Sequence, residues 1–306
     1  MPHVKVIKGD GGTEMLPVKK AYIPYLFLLP AIAGLLVFKV FPIISGISSS
    51  FFTFSFITKK QSFAGLSNYI NIFTDPVFLN SLKITLLFNV IVNPLQIFLS
   101  FCLALLLTLN IKGKKFFRTL HLIPITVSFP IACVLWGVIL SPDQGLVNSI
   151  LNLLGIANQP FLTSKSQALW SVIGIASWKG IGYWAIFIIA GLEEIPRSIY
   201  ESSEIDGANN FKALRYITLP LMKRTILFVV VADTVSNFLL FAPSYMLTNG
   251  GPEGSTDFIM FEIFKNAYTY SNMNVASAMV VVVLFIMLAI IAIENRLLKH
   301  DNEVTL

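Results

Sequence analysis

Six long apolar runs alternate with shorter polar stretches along the chain. The runs lie near residues 22–44, 84–109, 119–140, 168–192, 225–245 and 276–295. A helix needs about 20 mainly apolar residues to cross the hydrocarbon core of a bilayer, and every run reaches that length. The pattern predicts an all-α polytopic membrane protein with six transmembrane helices.

The composition agrees with a membrane protein and excludes an ordinary soluble one. Hydrophobic residues make up 55% of the 306 residues and charged residues only 12%, whereas about 25% of the residues of a soluble domain are charged. Cys102 and Cys133 lie inside apolar runs without the spacing of metal ligands, and the three histidines are scattered. We therefore expect no metal site and no cofactor on this chain.

The basic residues predict the orientation, because short loops rich in Lys and Arg stay on the cytoplasmic side. Most of the 22 Lys and Arg residues fall in an N-terminal tail (1–20), in two loops (110–118 and 193–224) and near a C-terminal tail (299–306). The remaining loops hold only Lys59, Lys60, Lys83, Lys165 and Lys265. Both termini are predicted to be cytoplasmic, with a transmembrane domain at 21–298. The net charge of +6 follows from these loops and does not indicate a nucleic-acid partner.

Two of the loops predicted to lie outside the cell carry their own patterns. Residues 45–82 begin with a Phe-rich stretch at 51–56 and continue with Gly-Leu-Ser-Asn-Tyr. That order predicts an interfacial segment followed by a short helix, although a plain connector fits equally well. Residues 248–256, Thr-Asn-Gly-Gly-Pro-Glu-Gly-Ser-Thr, predict a dense cluster of turns.

The polar segment 198–220 separates the fourth and fifth apolar runs and predicts two short helices joined by a tight reversal. Glu201 and Glu204 are expected in the first turns of the first helix, where carboxylates interact favourably with the positive end of the helix dipole. Gly207 permits the reversal, because a residue with a Cβ resists the required backbone conformation. The second helix can be capped by either of two asparagines and carries three apolar residues along one face: Asn209 or Asn210, and Phe211, Leu214 and Ile217.

This segment resembles the EAA loop of ABC importer permeases, by which the membrane subunit grips its ATPase. The matching letters are Glu201-Ser202-Ser203, Asp206-Gly207-Ala208 and Ile217-Thr218-Leu219-Pro220, with two serines in place of the usual alanines. Three further segments fit the sugar-type permeases of this superfamily, the maltose-permease-like partner in particular: Phe116–Pro124, Gly191–Pro196 and Leu247–Pro252. The similarity runs from around residue 20 to the C-terminus.

The resemblance implies a type I ABC importer permease fold and a transport subunit that is not an enzyme. It places the chain in the cytoplasmic (inner) membrane of a bacterium or archaeon, in contact with lipid, as half of a translocation pathway completed by a second permease subunit. An extracytoplasmic solute-binding protein would deliver a carbohydrate. The chain has no G-x-x-x-x-G-K-[ST] motif, so ATP and Mg are expected on two partner ATPase subunits. The resemblance assigns ATPase docking to Glu201, Ser202, Ser203, Asp206, Gly207, Ala208, Phe211, Leu219 and Pro220.

Two charged residues fall inside predicted spans, Lys179 in the fourth and Asp233 in the fifth. A charge at the bilayer centre costs about 2.5–3.5 kcal/mol on insertion scales and usually faces a partner or a wet cavity. By the resemblance, the sugar-contacting positions are Ala176, Lys179, Gly180, Tyr183, Asp233 and Asn237. Lys179 and Asp233 can pair and hold two helices together, or they can line the pathway and bias it toward an acidic sugar. The sequence leaves both hypotheses open.

Two functions of other classes are weaker hypotheses. An ion-coupled secondary carrier acting without an ATPase would use Lys179 and Asp233 as an ion relay. That function leaves segment 198–220 unexplained and lacks the inverted repeat common in such carriers. A membrane enzyme would need clustered carboxylates, a nucleophile with its base, or metal-ligand spacing, and none is evident in the sequence.

Overall fold

The computed structural model describes residues 23–55, 60–108 and 113–299, and these are mostly helical. The chain divides into two compact units, one on each side of the Ser49–Ser50 junction. The predicted N-terminal tail (1–20) lies outside the described residues, and so does the predicted C-terminal tail beyond Lys299. The two units are described separately below.

The described part of the first unit is a run of helix, in which no side chain from Tyr25 to Ser49 is buried. Helix α1 (Ile23–Leu35) passes through a π-helical turn (Leu36–Val40) into α2 (Phe41–Ser49). The stretch Tyr25–Ser49 is long and apolar enough to cross a membrane. A helix that is apolar all round and unburied within its own unit suits contact with lipid.

The second unit combines one hairpin with twelve α-helices of very different lengths among its described residues. The strands are β1 (Phe52–Ser55) and β2 (Lys60–Phe63). The α-helices, in chain order, are α3 (Ser67–Thr74), α4 (Pro76–Thr108), α5 (Lys114–Thr126), α6 (Phe129–Ile139), α7 (Leu146–Leu153), α8 (Ala168–Glu193), α9 (Arg197–Ile205), α10 (Asn210–Ala213), α11 (Leu219–Leu221), α12 (Lys223–Phe238), α13 (Ile259–Phe264) and α14 (Met273–Lys299). Short π-helical turns follow α10 and α13 and precede the 249–258 loop: Leu214–Thr218, Lys265–Thr269 and Ser244–Thr248.

The structure supports fewer uninterrupted spans than the six predicted. Four helical stretches of the described residues are long and apolar enough to cross a membrane, namely Tyr25–Ser49, Pro76–Thr108, Ala168–Glu193 and Met273–Leu297. A fifth arises only if the bent pair Thr119–Thr126 and Phe129–Ile139 counts as one span. The prediction of six transmembrane helices is therefore not confirmed, and the first, second, fourth and sixth apolar runs match the four stretches.

The third apolar run is not a single helix, because the chain turns by 105° between α5 and α6. Val127 and Ser128 are extended, with ψ angles of 129° and 150°. Pro130 follows at the start of α6, and proline has no N–H to donate to the carbonyl four residues earlier. The helical hydrogen-bond ladder is thus interrupted at the bend.

The fifth apolar run is also shorter as a helix than predicted. Helix α12 has 16 residues and ends at Phe238, whereas the apolar run continues to residue 245. Residues 239–241 leave the helical conformation, and Pro243 has no N–H to donate to the carbonyl of Leu239. A separate π-helical turn begins after Pro243.

The loop at 45–82 is more structured than a connector and corrects the all-α prediction. An antiparallel hairpin pairs Phe52 with Phe63 and Ser55 with Lys60, and the short helix predicted after it is α3. Asn68 of α3 is 4% exposed, and its Nδ2 donates to the carbonyl oxygens of Ser50 and Phe52, each at 2.8 Å. This amide fastens the base of the hairpin to the helix.

The predicted turn cluster at 248–256 is confirmed, and hydroxyl groups hold it together. Ser244 Oγ donates to the Thr256 carbonyl at 2.6 Å, and Thr256 Oγ1 donates to the Gly251 carbonyl at 2.8 Å. Just beyond it, Lys265 forms ion pairs with Asp257 at 2.9 Å and Glu262 at 2.5 Å. Burial raises the pKa of Asp257. Burial lowers the pKa of Lys265, but the two carboxylates raise it by more, so the pKa of Lys265 lies above its ordinary value.

The most extensive packing between two helices of the second unit is that of α4 against α8. Phe88 and Val92 of α4 are fully buried against Val172 and Ala176 of α8. Further along, Ser100 Oγ donates to the Ile181 carbonyl at 3.0 Å. Helix α12 packs on both α4 and α8, and α14 packs on α12, so the charged residues Lys179 and Asp233 lie where α4, α8 and α12 meet.

We expect Asn68→Ala to lower the free energy of unfolding by roughly 2 kcal/mol, because two carbonyl groups lose their donor. Asn71→Ala is the matched control, since Asn71 lies exposed on the same helix. Denaturant unfolding of the purified protein in detergent measures both changes. Equal stability of the two variants would contradict the anchoring role of Asn68.

Candidate functional site

The six residues predicted to contact solute border one cavity. Its volume is about 290 Å³, and it lies among α4, α8, α12 and the bend between α5 and α6. The predicted residues in its wall are Ala176, Lys179, Gly180, Tyr183, Asp233 and Asn237. The wall also contains Gln96, Ile125, Phe129, Trp184, Ser236 and Leu240, which the sequence did not single out.

Helical spacing explains why the α8 residues meet. Positions 176, 179, 180 and 183 recur every three or four residues and therefore share one helix face. Ala176 is buried, whereas Tyr183 is 42% exposed and offers part of its ring and its hydroxyl. The ring of Tyr183 packs edge-on against the rings of Trp184 and Phe187, with distances of 4.7 and 5.4 Å between ring centroids.

Lys179 is held by backbone carbonyls and not by Asp233. Its Nζ donates to the Pro124 carbonyl at 3.1 Å and to the Val127 carbonyl as well. These carbonyls belong to the last turn of α5 and the bend after it, and a cation at a helix C-terminus is favourable. No ion pair joins Lys179 to Asp233 in the described chain, so the hypothesis of a helix-bridging pair is wrong. The ammonium group of Lys179 has three N–H groups, and the two carbonyls use two of them, so one N–H is left for another acceptor.

Asp233 is the one acid among the residues that line the cavity, and it is buried at 1% exposure. Its Oδ1 accepts from Trp184 Nε1 at 2.6 Å and from Asn237 Nδ2 at 2.9 Å. Its Oδ2 has no hydrogen-bond partner among the described residues. One carboxylate oxygen is thus fixed by the protein, and the other is buried without a partner among the described residues.

A hydrogen-bond network continues from Asp233 to α4 and α14. Asn237 Nδ2 donates to Asn93 Oδ1 at 2.8 Å, and Asn93 Nδ2 donates to Thr234 Oγ1 at 2.9 Å. The Thr234 hydroxyl donates to Glu294 Oε1 at 2.7 Å. The network therefore ties three helices together behind the cavity.

Sequence reasoning missed Glu294 and the polar residues of α4. The α4 residues form a stripe at helical spacing within an apolar run, namely Asn89, Asn93, Gln96 and Ser100. Such a stripe on a hydrophobic helix is a detectable signal, because each polar group inside a membrane needs a partner.

The segment 198–220 forms the two short helices expected, with different boundaries. Helix α9 begins at Arg197, directly after Pro196, and ends at Ile205. Glu201 therefore lies in the middle of α9 and Glu204 in its last turn, and the predicted stabilisation by the positive helix end is wrong. No acidic residue occupies the first turn of this helix.

Gly207 ends α9 as predicted. Its φ angle is +78°, and the chain closes with two bonds, Gly207 N–H to the Glu204 carbonyl at 3.0 Å and Ala208 N–H to the Ser203 carbonyl at 2.9 Å. This pair of bonds is the Schellman motif. Asn209 then caps α10, since its Oδ1 accepts from the Lys212 N–H at 2.9 Å.

The loop is braced on one side and open on the other. Tyr200 Oη and Thr218 Oγ1 lie 2.9 Å apart, and Ser203 is buried beside them. The outer side exposes apolar residues in a polar segment, with Ile205 at 87%, Phe211 at 69% and Tyr216 at 70% exposure. Phe211 was among the predicted docking residues, whereas Ile205 and Tyr216 were missed. Of the other predicted residues, Ala208 is half-buried and the remainder are exposed: Glu201, Ser202, Asp206, Gly207, Leu219 and Pro220.

Comparison with known proteins identifies the family. Residues 21–300 match the family described as binding-protein-dependent transport system inner membrane component. The chain is 34% identical to the probable ABC transporter permease protein YurN of Bacillus subtilis, over 92% of this chain and 97% of that protein. It is 32% identical to the sn-glycerol-3-phosphate transport system permease protein UgpA of Brucella abortus, over 90% and 94% of the two chains.

Two more distant proteins extend the comparison. The trehalose/maltose transport system permease protein MalF of Thermococcus litoralis is 29% identical over 90% of this chain and 94% of its own length. In fold, the chain resembles a subunit of a bacterial ABC transporter involved in the import of the acidic polysaccharide alginate, with a TM-score of 0.79. That match covers 94% of this chain and 98% of the other at 23% identity, and it speaks for the fold alone. Because the family match spans most of its length, the chain belongs to the inner-membrane components of binding-protein-dependent transport systems, the permease subunits of ABC transporters, which are not enzymes.

Proposed function

We propose that this chain is the permease subunit of an ATP-driven carbohydrate importer, that it forms half of the translocation pathway, and that it couples to the ATPase through residues 201–220. One observation carries the proposal. All six positions that the family resemblance assigned to sugar contact border a single cavity. The cavity offers an aromatic face at Tyr183, a free carboxylate oxygen at Asp233 and a free N–H at Lys179.

Polar, hydroxyl-rich solutes match this chemistry. The names of the relatives include sn-glycerol 3-phosphate and trehalose or maltose, and the structural neighbour imports alginate. These solutes share hydroxyl groups and differ in charge. Asp233 Oδ2 can accept from a hydroxyl, Tyr183 can stack on a sugar ring, and the remaining N–H of Lys179 can bind a hydroxyl or an acidic oxygen.

The exposed side of the 201–220 loop supports docking to an ATPase. Ile205, Phe211 and Tyr216 expose most of their apolar surface while their neighbours are polar. Covering a side chain such as Ile205 would contribute about 1.5–3 kcal/mol. The basic residues around the loop favour the cytoplasmic side for it and for both termini, where ATPase subunits carrying ATP and Mg would bind.

The complete importer would contain a second permease, two ATPase subunits and an extracytoplasmic solute-binding protein. The family description, binding-protein-dependent transport system, supports the last of these partners. The ion-coupled carrier gains no support, because Lys179 is bound to two carbonyls and does not form a relay with Asp233.

We expect the chain alone in proteoliposomes to take up no sugar, because it supplies one half of a pathway and no ATPase. Reconstitution with its cognate second permease, ATPase and loaded binding protein should give ATP-dependent uptake of radiolabelled trehalose, maltose or sn-glycerol 3-phosphate. Uptake by the isolated chain without ATP would contradict the proposal, as would a complete complex that transports none of the three.

Gly207→Val is expected to abolish transport and co-purification of the ATPase. The left-handed backbone conformation costs a residue with a Cβ about 1–2 kcal/mol, and it costs a β-branched residue more. The space around Gly207 is open, so backbone strain is the only cost. Co-purification and ATP-driven uptake measure the effect.

Gly155→Val is the matched control for this variant. Gly155 ends α7 with a φ of +76° and open space around it. It makes the same pair of backbone bonds as Gly207, to the carbonyls of Asn152 and Leu151 through its own N–H and that of Ile156. Comparable strain there should leave ATPase co-purification intact. Loss of the ATPase in both variants, or in neither, would reduce the 201–220 loop to a connector.

Lys179→Met should lower the free energy of unfolding by about 1–3 kcal/mol, because two carbonyls at the bend lose their donor. Lys179→Arg, which keeps donors, is the control. In a double-mutant cycle with Asp233→Asn, we expect a coupling free energy below about 1 kcal/mol, because Lys179 does not contact Asp233. If the two formed a buried ion pair, truncating one partner would cost about 3–5 kcal/mol. Denaturant unfolding in detergent measures the cycle, and strong coupling would restore the ion-pair hypothesis.

A further inference from the structure

One amide in the cavity wall has no hydrogen bond. Gln96 of α4 is 2% exposed, and it borders the cavity. No hydrogen bond joins its side chain to any residue in the described ranges. Leaving a buried polar group unpaired costs about 1–3 kcal/mol, so such groups normally find a partner in the protein or outside it.

Gly180 of α8 makes room for this amide. A Cβ placed on Gly180 would lie 2.5 Å from Gln96 Oε1, 2.6 Å from its Cδ and 2.8 Å from its Nε2. Any larger residue at position 180 would push the amide out of its place. The missing side chain on α8 therefore seats the Gln96 amide at the cavity wall.

The amide is not alone in lacking a partner. Asp233 Oδ2, in the wall of the same cavity, is also unpaired. The protein thus presents a neutral amide, which can donate and accept, together with a carboxylate oxygen, which accepts. Hydroxyl groups of a solute can satisfy both, because each hydroxyl donates one hydrogen bond and accepts others.

Resting on the proposed function, we propose that Gln96, seated by Gly180, binds a hydroxyl group of the transported solute and acts together with Asp233 as its polyol-recognition pair. Gln96 would donate to and accept from one hydroxyl, and Asp233 Oδ2 would accept from another. Because the amide is neutral, its contribution is to recognition of hydroxyl groups and not of solute charge. A site built to bind a hydroxyl discriminates strongly against an analogue that lacks it.

Gln96→Met separates recognition from packing. Methionine has nearly the same length and volume but no amide, so it fills the space without the hydrogen bonds. In the reconstituted complex, the probe is whichever of trehalose, maltose and sn-glycerol 3-phosphate the wild type imports best. We expect the KM for uptake to rise about tenfold, as the loss of one good hydrogen bond implies, with the maximal rate within about twofold of wild type. Leu95→Met, next along the same helix, is the control and should leave KM unchanged.

Monodeoxy analogues of the probe, each lacking one hydroxyl group, distinguish a hydrogen-bonding role of Gln96 from a packing role. The wild type should import one analogue with a raised KM, and for that analogue Gln96→Met should cause no further rise. If Gln96→Met imports the probe and every analogue with wild-type KM, the side chain only fills space and the inference is overturned. Absence of uptake by the wild-type complex would instead overturn the proposed function itself.

The seat at Gly180 is tested by a pair of substitutions. Gly180→Ala should raise KM, because the new Cβ displaces the amide. In the Gln96→Ala background the same change should have little further effect, because the crowded side chain is gone. Equal effects of Gly180→Ala in both backgrounds would show that Gly180 does not seat Gln96 and would overturn the proposed arrangement.

Discussion

Backbone and side-chain polar groups away from water need partners inside the protein, and the bend between α5 and α6 is where this requirement is hardest to meet. A turn of 105° within an apolar run frees carbonyl groups that a continuous helix would have used. Lys179 reaches from α8 and takes two of them. The same residue thereby becomes part of the cavity wall. Stability of the bend and chemistry of the cavity share one side chain.

The second requirement concerns the acids. Asp233 and Glu294 lie in apolar helices, and each has one oxygen bound by a neighbour and one oxygen unpaired. Asn93, Asn237 and Thr234 connect them across α4, α12 and α14. Replacing any member leaves its partners unsatisfied, so the network fixes how these helices meet. A cavity wall built in this way is pre-organised before any solute enters.

The two functional parts are joined by the chain itself. Helix α8 carries Lys179 and ends at Glu193, four residues before α9 begins. Helix α12 carries Asp233 and begins at Lys223, three residues after the loop ends. In the proposed coupling, a displacement of the 201–220 loop would reach both helices that line the cavity. Rigid-body movement of packed helices is the ordinary way in which a distant contact changes a site.

The sequence by itself determined the membrane class, the family and the local chemistry of the loop. These depend on apolar run length, on motif spacing and on the backbone freedom of Gly207, all of which are local properties. Positions 176, 179, 180 and 183 could be placed on one face for the same reason, because a helix has a fixed period.

Tertiary structure decided the rest. The partner of Lys179 could not be read from the sequence, because the competing carbonyls appear only when the chain bends at Val127 and Ser128. The number of uninterrupted spans likewise depended on the bend between α5 and α6 and on the end of α12 at Phe238, neither of which hydropathy alone predicts. The seat of Gln96 beside Gly180 required the distance between α4 and α8, which no local pattern encodes.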